Sequence, residues 1–235
     1  MKKFVDTVVL ALIVLVVAGC GLSSDPQRLI AKAQEYRDKG DNKAAIIELK
    51  NVLQKDTAHA EARYLLGVTY LDARDFRSAE RELRKALELG YDRTKVALAL
   101  GKSMLMLGES QKVLDQVELD NRASNAMQAE LLTLRAQALT ALGRHDQARE
   151  LLDQALVKQP EFSDALLVQA RHAVRDQKLD DSARLIERAI ISAPKHIDAW
   201  LLKGELARAR ADQAGALAAN QKVLELDPTN ISARL

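Results

Sequence analysis

Cysteine is almost missing: the 235-residue chain holds one, Cys20, so its body can form no internal disulfide. Proline is scarce, at four residues, and aromatics make up 3%. A chain so poor in helix breakers and so rich in Ala and Leu favours helices packed through small contacts. The four histidines, His59, His145, His172 and His196, share neither a helix face nor metal-ligand spacing. No H-E-x-x-H, glycine-rich phosphate loop or G-x-S-x-G occurs. His172, beside Arg171 in a helical stretch, reads as a surface or packing residue, not a general base. Lys and Arg total 35 against 33 Asp and Glu, a net charge of +2, which gives no basic excess for nucleic acid. These absences point away from an enzyme and imply no cofactor and no metal.

What is present begins with a short targeting segment. Lys2 and Lys3 precede an apolar run from Val8 to Val17, too short for a comfortable span of ~20 residues. The run ends in Val17-Ala18-Gly19-Cys20, which resembles the bacterial lipobox. The resemblance implies a signal peptide over 1–19, cleavage before Cys20, acylation of that cysteine, and a tether over 20–25. Two buried acyl chains suffice for stable anchoring, because each methylene contributes ~0.8 kcal/mol. Gly21, in place of the Asp that marks inner-membrane retention in enteric bacteria, favours the periplasmic face of the outer membrane, with the inner membrane as the alternative.

The rest of the chain repeats. Units start at Pro26, Ala60, Thr94, Ala129, Ser163 and Ile197, spaced by 34, 34, 35, 34 and 34 residues. Their eighth residue is small throughout: Ala33, Gly67, Gly101, Ala136, Ala170 and Gly204. The twentieth is Ala45, Ala79, Val113, Ala148, Ser182 and Ala216. Small residues there let two helices cross closely. Pro160, Pro194 and Pro228 stop the second helix, which proline cannot continue. Glycines at 40, 108 and 143 suit a helix C-terminus. Trp200 occupies the aromatic slot of the pattern.

This pattern resembles the tetratricopeptide repeat. The resemblance implies an all-α, right-handed α-solenoid of stacked helix hairpins. Six repeats are expected over 26–230, at 26–59, 60–93, 94–128, 129–162, 163–196 and 197–230. Residues 231–235 read as the start of a seventh repeat, which implies a longer array. The third unit departs from the pattern: its expected second helix, Gln111 to Asn121, carries Asp120 where a small apolar residue belongs. That stretch is either a drifted repeat or a hinge or partner contact at Asp115 to Asn125.

In this family, positions 2, 5, 9 and 12 of each first helix face a groove. Tyr64, Val68, Leu71, Leu98 and Leu105 make an apolar wall there, with Lys102, Arg171 and Arg208 as its cationic members. The alternative is that part of this wall only packs against neighbouring units. No unit has Lys at position 5 and Asn at position 9, which rules out a carboxylate clamp for an acidic tail.

The stretch from Ala33 to Gly90 closely resembles the repeat lipoprotein of the PEP-CTERM system, which accompanies exopolysaccharide synthesis and the sorting of exported proteins. The resemblance implies a non-enzymatic scaffold, held by a lipid anchor, whose partners are other proteins of an export or polysaccharide-secretion complex. An assembly factor for type IV pili or outer-membrane proteins is the alternative. A carbohydrate-binding or carbohydrate-active protein would need clustered carboxylates or an aromatic platform, and Tyr64 is the one aromatic found on that wall.

Overall fold

Twelve α-helices and no strands occur among the residues described by the computed structural model, 25–234. The signal segment, Cys20 and Leu235 lie outside the described residues. In order, the helices are α1 (Pro26–Asp38), α2 (Asn42–Lys55), α3 (Ala60–Asp72), α4 (Phe76–Glu88), α5 (Arg93–Met106) and α6 (Ser110–Gln116). They continue with α7 (Asn125–Ala141), α8 (His145–Lys158), α9 (Ser163–Arg175), α10 (Leu179–Ser192), α11 (Ile197–Ala209) and α12 (Gln213–Leu226). Two compact units divide between Val96 and Ala97.

Local chemistry sets the helix boundaries. The side chains of Asp41, Asp75 and Asp212 accept from the backbone N–H groups of Ala44, Ser78 and Gly215, capping α2, α4 and α12. These bonds satisfy donors that the first helical turn leaves orphaned. The second helices α8, α10 and α12 each end two residues before Pro160, Pro194 and Pro228, because the residue preceding a proline is pushed out of helical geometry.

In the first unit, α1 packs on α2, α2 on α3, and α3 on α4. In the second, α7 packs on α8 and α9, α9 on α10 and α11, and α11 on α12. Hairpin thus stacks on hairpin, with each element touching only near neighbours, as in a solenoid. The small residues of the repeat sit at the crossings. Ala45, Ala79, Val113, Ala148 and Ser182 are fully buried, and so are Val52, Ala86, Ala155, Ala189 and Val223 at the repeat position two turns further on. Gly67 shows why: a Cβ added there would stand 2.6 Å from Cγ of Leu83. Two apolar clusters carry the second unit. One is built around Leu132, Leu139 and Leu152, the other around Leu166, Ile186 and Leu202.

The second helix of the third hairpin is shorter than expected. It ends at Gln116 instead of running to Asn121. Beyond it Val117, 1% exposed, turns inward and fills the space beside Gly101, where Asp120 could not go. The guanidinium of Arg135 donates from Nη1 to the carbonyl oxygens of Leu114 and Val117, at 2.9 and 2.6 Å. Gln128 Nε2 donates to the carbonyls of Asn121 and Ala123, at 3.1 and 2.7 Å. The irregular stretch is pinned from α7. That helix starts at Asn125, capped by Ser124, one turn ahead of the unit start at Ala129.

Candidate partner-binding surface

The expected groove residues are placed on several helices. Tyr64, Val68 and Leu71 lie on α3 and are partly buried. Tyr64 stacks on Tyr91, with ring centroids 4.6 Å apart and planes 20° from parallel. Tyr91 is the aromatic that sequence reasoning missed: it follows α4 and matches no repeat slot. Burial, and then Glu61 and Asp92, push its hydroxyl above the usual tyrosine range. Near the far end of the same unit, Arg37 of α1 pairs with Asp72 at 2.8 Å.

Leu98, on α5, is 9% exposed and belongs to the core, so it offers no wall to a partner. Its position in the repeat is also buried at Thr133 and Leu167. Leu105 is partly buried and Lys102 is exposed. In the second unit the fully exposed residues at these positions are polar, and Leu105, Val174 and Leu201 are partly buried. Lys102 lies 3.6 Å from Glu130. A shallow pocket between them is floored by Thr133 and Phe162 and reaches Asp164. Asp164 pairs with His196 at 2.6 Å. The His196 hydrogen bond holds the Asp164 carboxyl below its ordinary range, and the same bond raises the imidazole. Arg171 on α9 and Arg208 on α11 are exposed, on first helices that pack side by side. Cations and carboxylates alternate along this face, which suits polar and charged segments of a protein partner.

The histidines have structural posts. His59 caps α3 through Nδ1, and His172 is buried against Thr140 at 2.8 Å. His145 meets the His172 ring edge to face. Among the described residues, no group of three or more His, Cys, Asp or Glu is placed to hold a metal ion.

Family models described as tetratricopeptide repeat match residues 36–103 and, in overlapping segments, 110–165, 132–194 and 167–231. The chain belongs to the tetratricopeptide repeat family. Tetratricopeptide repeats are typically non-enzymatic scaffolds, and this array is a repeat scaffold for protein–protein interaction. No curated protein matches the chain in sequence.

Among solved structures, the tetratricopeptide array is similar to PilW, a widely conserved type IV pilus biogenesis factor. The TM-score is 0.68 at 17% identity, over 89% of this chain and 96% of that one. It is similar to PilF of Pseudomonas aeruginosa at a TM-score of 0.63 and 16% identity, over 89% and 95%. The APC/C hetero-tetramer Cut9–Hcn1 also gives a TM-score of 0.68, at 11% identity, over 91% of this chain and 42% of that chain. Equal likeness to proteins named for a pilus and for APC/C is a likeness of fold alone. Among the described residues, no helix is long and apolar enough to cross a membrane.

Proposed function

We propose that this chain is a lipid-anchored scaffold that gathers the proteins of an exopolysaccharide-export and PEP-CTERM sorting complex at the periplasmic face of the outer membrane. The observation that carries the scaffold role is the charged first-helix face of the second unit, where Lys102, Arg171 and Arg208 are open to solvent on stacked hairpins. The export assignment draws on the resemblance of residues 33–90 to the repeat lipoprotein of that system. The anchor draws on Cys20 and the apolar run before it.

A second reading, assembly of type IV pili, has one observation in its favour. The hairpin array superposes on 96% of the PilW chain at a TM-score of 0.68, so the two share a hairpin arrangement. Deleting the gene separates the two readings. The first expects surface polysaccharide and sorted exported proteins to fall while piliation stays intact. Loss of pili with normal polysaccharide would favour the second. Labelling with radioactive palmitate tests the anchor: label is expected on the native chain and none on Cys20→Ala.

A further inference from the structure

The outer edge of a second helix is formed by repeat positions 18, 22, 25 and 29, which share one helical face. On α2 these are Lys43, Ile47, Lys50 and Gln54, all exposed. On α4 they are Arg77, Arg81, Arg84 and Glu88, of which only Arg84 is partly buried. The two helices thus turn five cations and one carboxylate outward. At the same positions the later second helices, α6, α8, α10 and α12, carry seven carboxylates and a single cation, Arg184. Both α2 and α4 pack on α3, and hairpins of one solenoid differ by a small rotation, so their two stripes face the same side.

Neighbouring carboxylates leave much of this charge unmet. Glu48 and Glu82 turn inward, 9% and 5% exposed, and bind Lys32 and Arg63. Arg81 also reaches Glu82, at 3.3 Å, and Arg84 pairs with Glu80 at 2.7 Å. Asp41 and Asp75 are engaged as the caps of α2 and α4. Among the described residues Lys43 and Arg77 have no ion pair, and Lys50 stands 5.9 Å from the centre of the Tyr70 ring.

A cationic ridge alone could take any polyanion, and the tether selects among them. From Cys20 to Asp25 the chain spans at most about 18 Å. The 14 residues of α2 make a helix about 21 Å long. An acylated Cys20 therefore keeps the first hairpin within one helix length of the lipid headgroups. We propose that the second-helix ridge of the first two hairpins lies on an anionic phospholipid surface, with Lys43, Lys50, Arg77 and Arg81 on lipid phosphates. Ile47, 59% exposed between two lysines, enters the headgroup layer. The inference rests on the lipid-anchored reading for where the protein sits, and basic residues at such a surface add to a lipid anchor. The contact orients the array, because a ridge laid on the bilayer turns the first-helix face of these hairpins away from it.

The test uses the native chain, purified from cells and added to vesicles of phosphatidylcholine alone or with one-third phosphatidylglycerol. A fluorescent amino acid replaces either Gln54 or Gln221, glutamines of the same stripe on α2 and α12, and a nitroxide on the headgroups quenches it on contact. At low salt, quenching is expected at position 54 on the phosphatidylglycerol vesicles only, and at position 221 on neither. Lys43→Gln and Arg77→Gln, both outside the core, should each weaken the quenched state about fivefold, the effect of one cation at an anionic surface. Glu150→Gln, on the acidic stripe of α8, should not weaken it. No quenching at position 54 with phosphatidylglycerol, or equal quenching without it, overturns the proposal. So does binding of soluble polyglutamate at the ridge without headgroup contact, which assigns the ridge to an acidic protein. Flotation reads the anchor separately. A chain that floats with both vesicles but keeps position 54 unquenched retains the anchor and loses the ridge. One that floats only with phosphatidylglycerol, and is quenched there, retains the ridge and loses the anchor.

Discussion

Arg135 of α7 holds the carbonyl of Val117 at 2.6 Å, and through it the end of the shortest helix in the described chain. The last carbonyls of a helix have no partner within it, and here a cation from the next helix supplies one. Replacing Arg135 with Ala leaves two carbonyls unmet beside the core and is expected to cost about 1.5–3 kcal/mol. Arg135→Lys, with one compact cation in place of a planar fork, should recover part of that loss. Urea denaturation measures both. Amide exchange over residues 113–124 should accelerate in Arg135→Ala, and an unchanged rate there would show that the loop is held by something else.

Every tight hairpin turn places its fifteenth repeat residue in the left-handed region. Glycine fills three of these turns, Gly40, Gly108 and Gly143, at φ between 74° and 77°. Arg74, Gln177 and Ala211 fill the other three, at φ of 60°, 61° and 58°. A side chain there costs roughly 1–2 kcal/mol. Changing Arg74, Gln177 or Ala211 to Gly should therefore raise stability by about 1 kcal/mol each, and Gly40→Ala should lower it by a similar amount. Melting curves of the four single variants decide this, and a fall in melting temperature for Ala211→Gly would contradict it.

That contrast shows what the sequence made legible. Small residues at positions 8 and 20 declare the helix crossings, because nothing larger fits between Gly67 and Leu83. The left-handed turns were visible only where glycine marks them. At Arg74 or Gln177 the packing of two helices imposes the conformation on a residue that does not advertise it. The early end of α6 could not be read locally, since Arg135, eighteen residues past Val117, does the holding. Leu98 was placed on the groove by repeat position, but it lies in the core.

Gly67 and Leu83 give a second packing test. An added methyl would lie 2.6 Å from Cγ and 2.8 Å from Cδ2 of a fully buried leucine. Gly67→Ala is expected to destabilise the first unit by about 1–3 kcal/mol, the usual cost of overpacking. Leu83→Ala combined with it should show positive coupling, because the new methyl then enters the space that the leucine vacates. Strict additivity in this double-mutant cycle would count against a close crossing.

Arg63 and Glu82 form an ion pair at 2.6 Å, with side chains 15% and 7% exposed. Glu82→Ala removes the carboxylate and leaves the guanidinium to the carbonyl of Thr57, and is expected to cost about 3 kcal/mol. The later hairpins carry Leu151 and Leu185 at the equivalent position, so the site tolerates an apolar side chain. Glu82→Leu with Arg63→Met should then cost far less than Glu82→Ala alone, as chemical denaturation would show.

Asp164 and His196 predict a pH dependence whose sign follows from the shifts. The Asp164 hydrogen bond raises His196, so its contribution is fully present below the ordinary histidine value of 6.5 and is lost as pH rises through the raised native value. The His196 bond lowers Asp164, so its contribution is present above 3.8 and is lost as pH falls through the lowered native value. The pair therefore stabilises most between those two limits. His196→Gln should lower stability near pH 5 by less than about 1 kcal/mol, the range of a partly exposed pair, and by still less at pH 8. An equal penalty at both values would show that the imidazole titrates unperturbed.

The account rests on the claim that the protein works by holding other proteins along the first-helix face of its stacked hairpins. A photo-reactive amino acid placed at Arg171, at Arg208, and at the exposed second-helix residue Gln221 tests it in living cells. Protein adducts are expected to concentrate at Arg171 and Arg208, with few at Gln221. Equal capture at all three positions, or adducts to glycan alone, would contradict it.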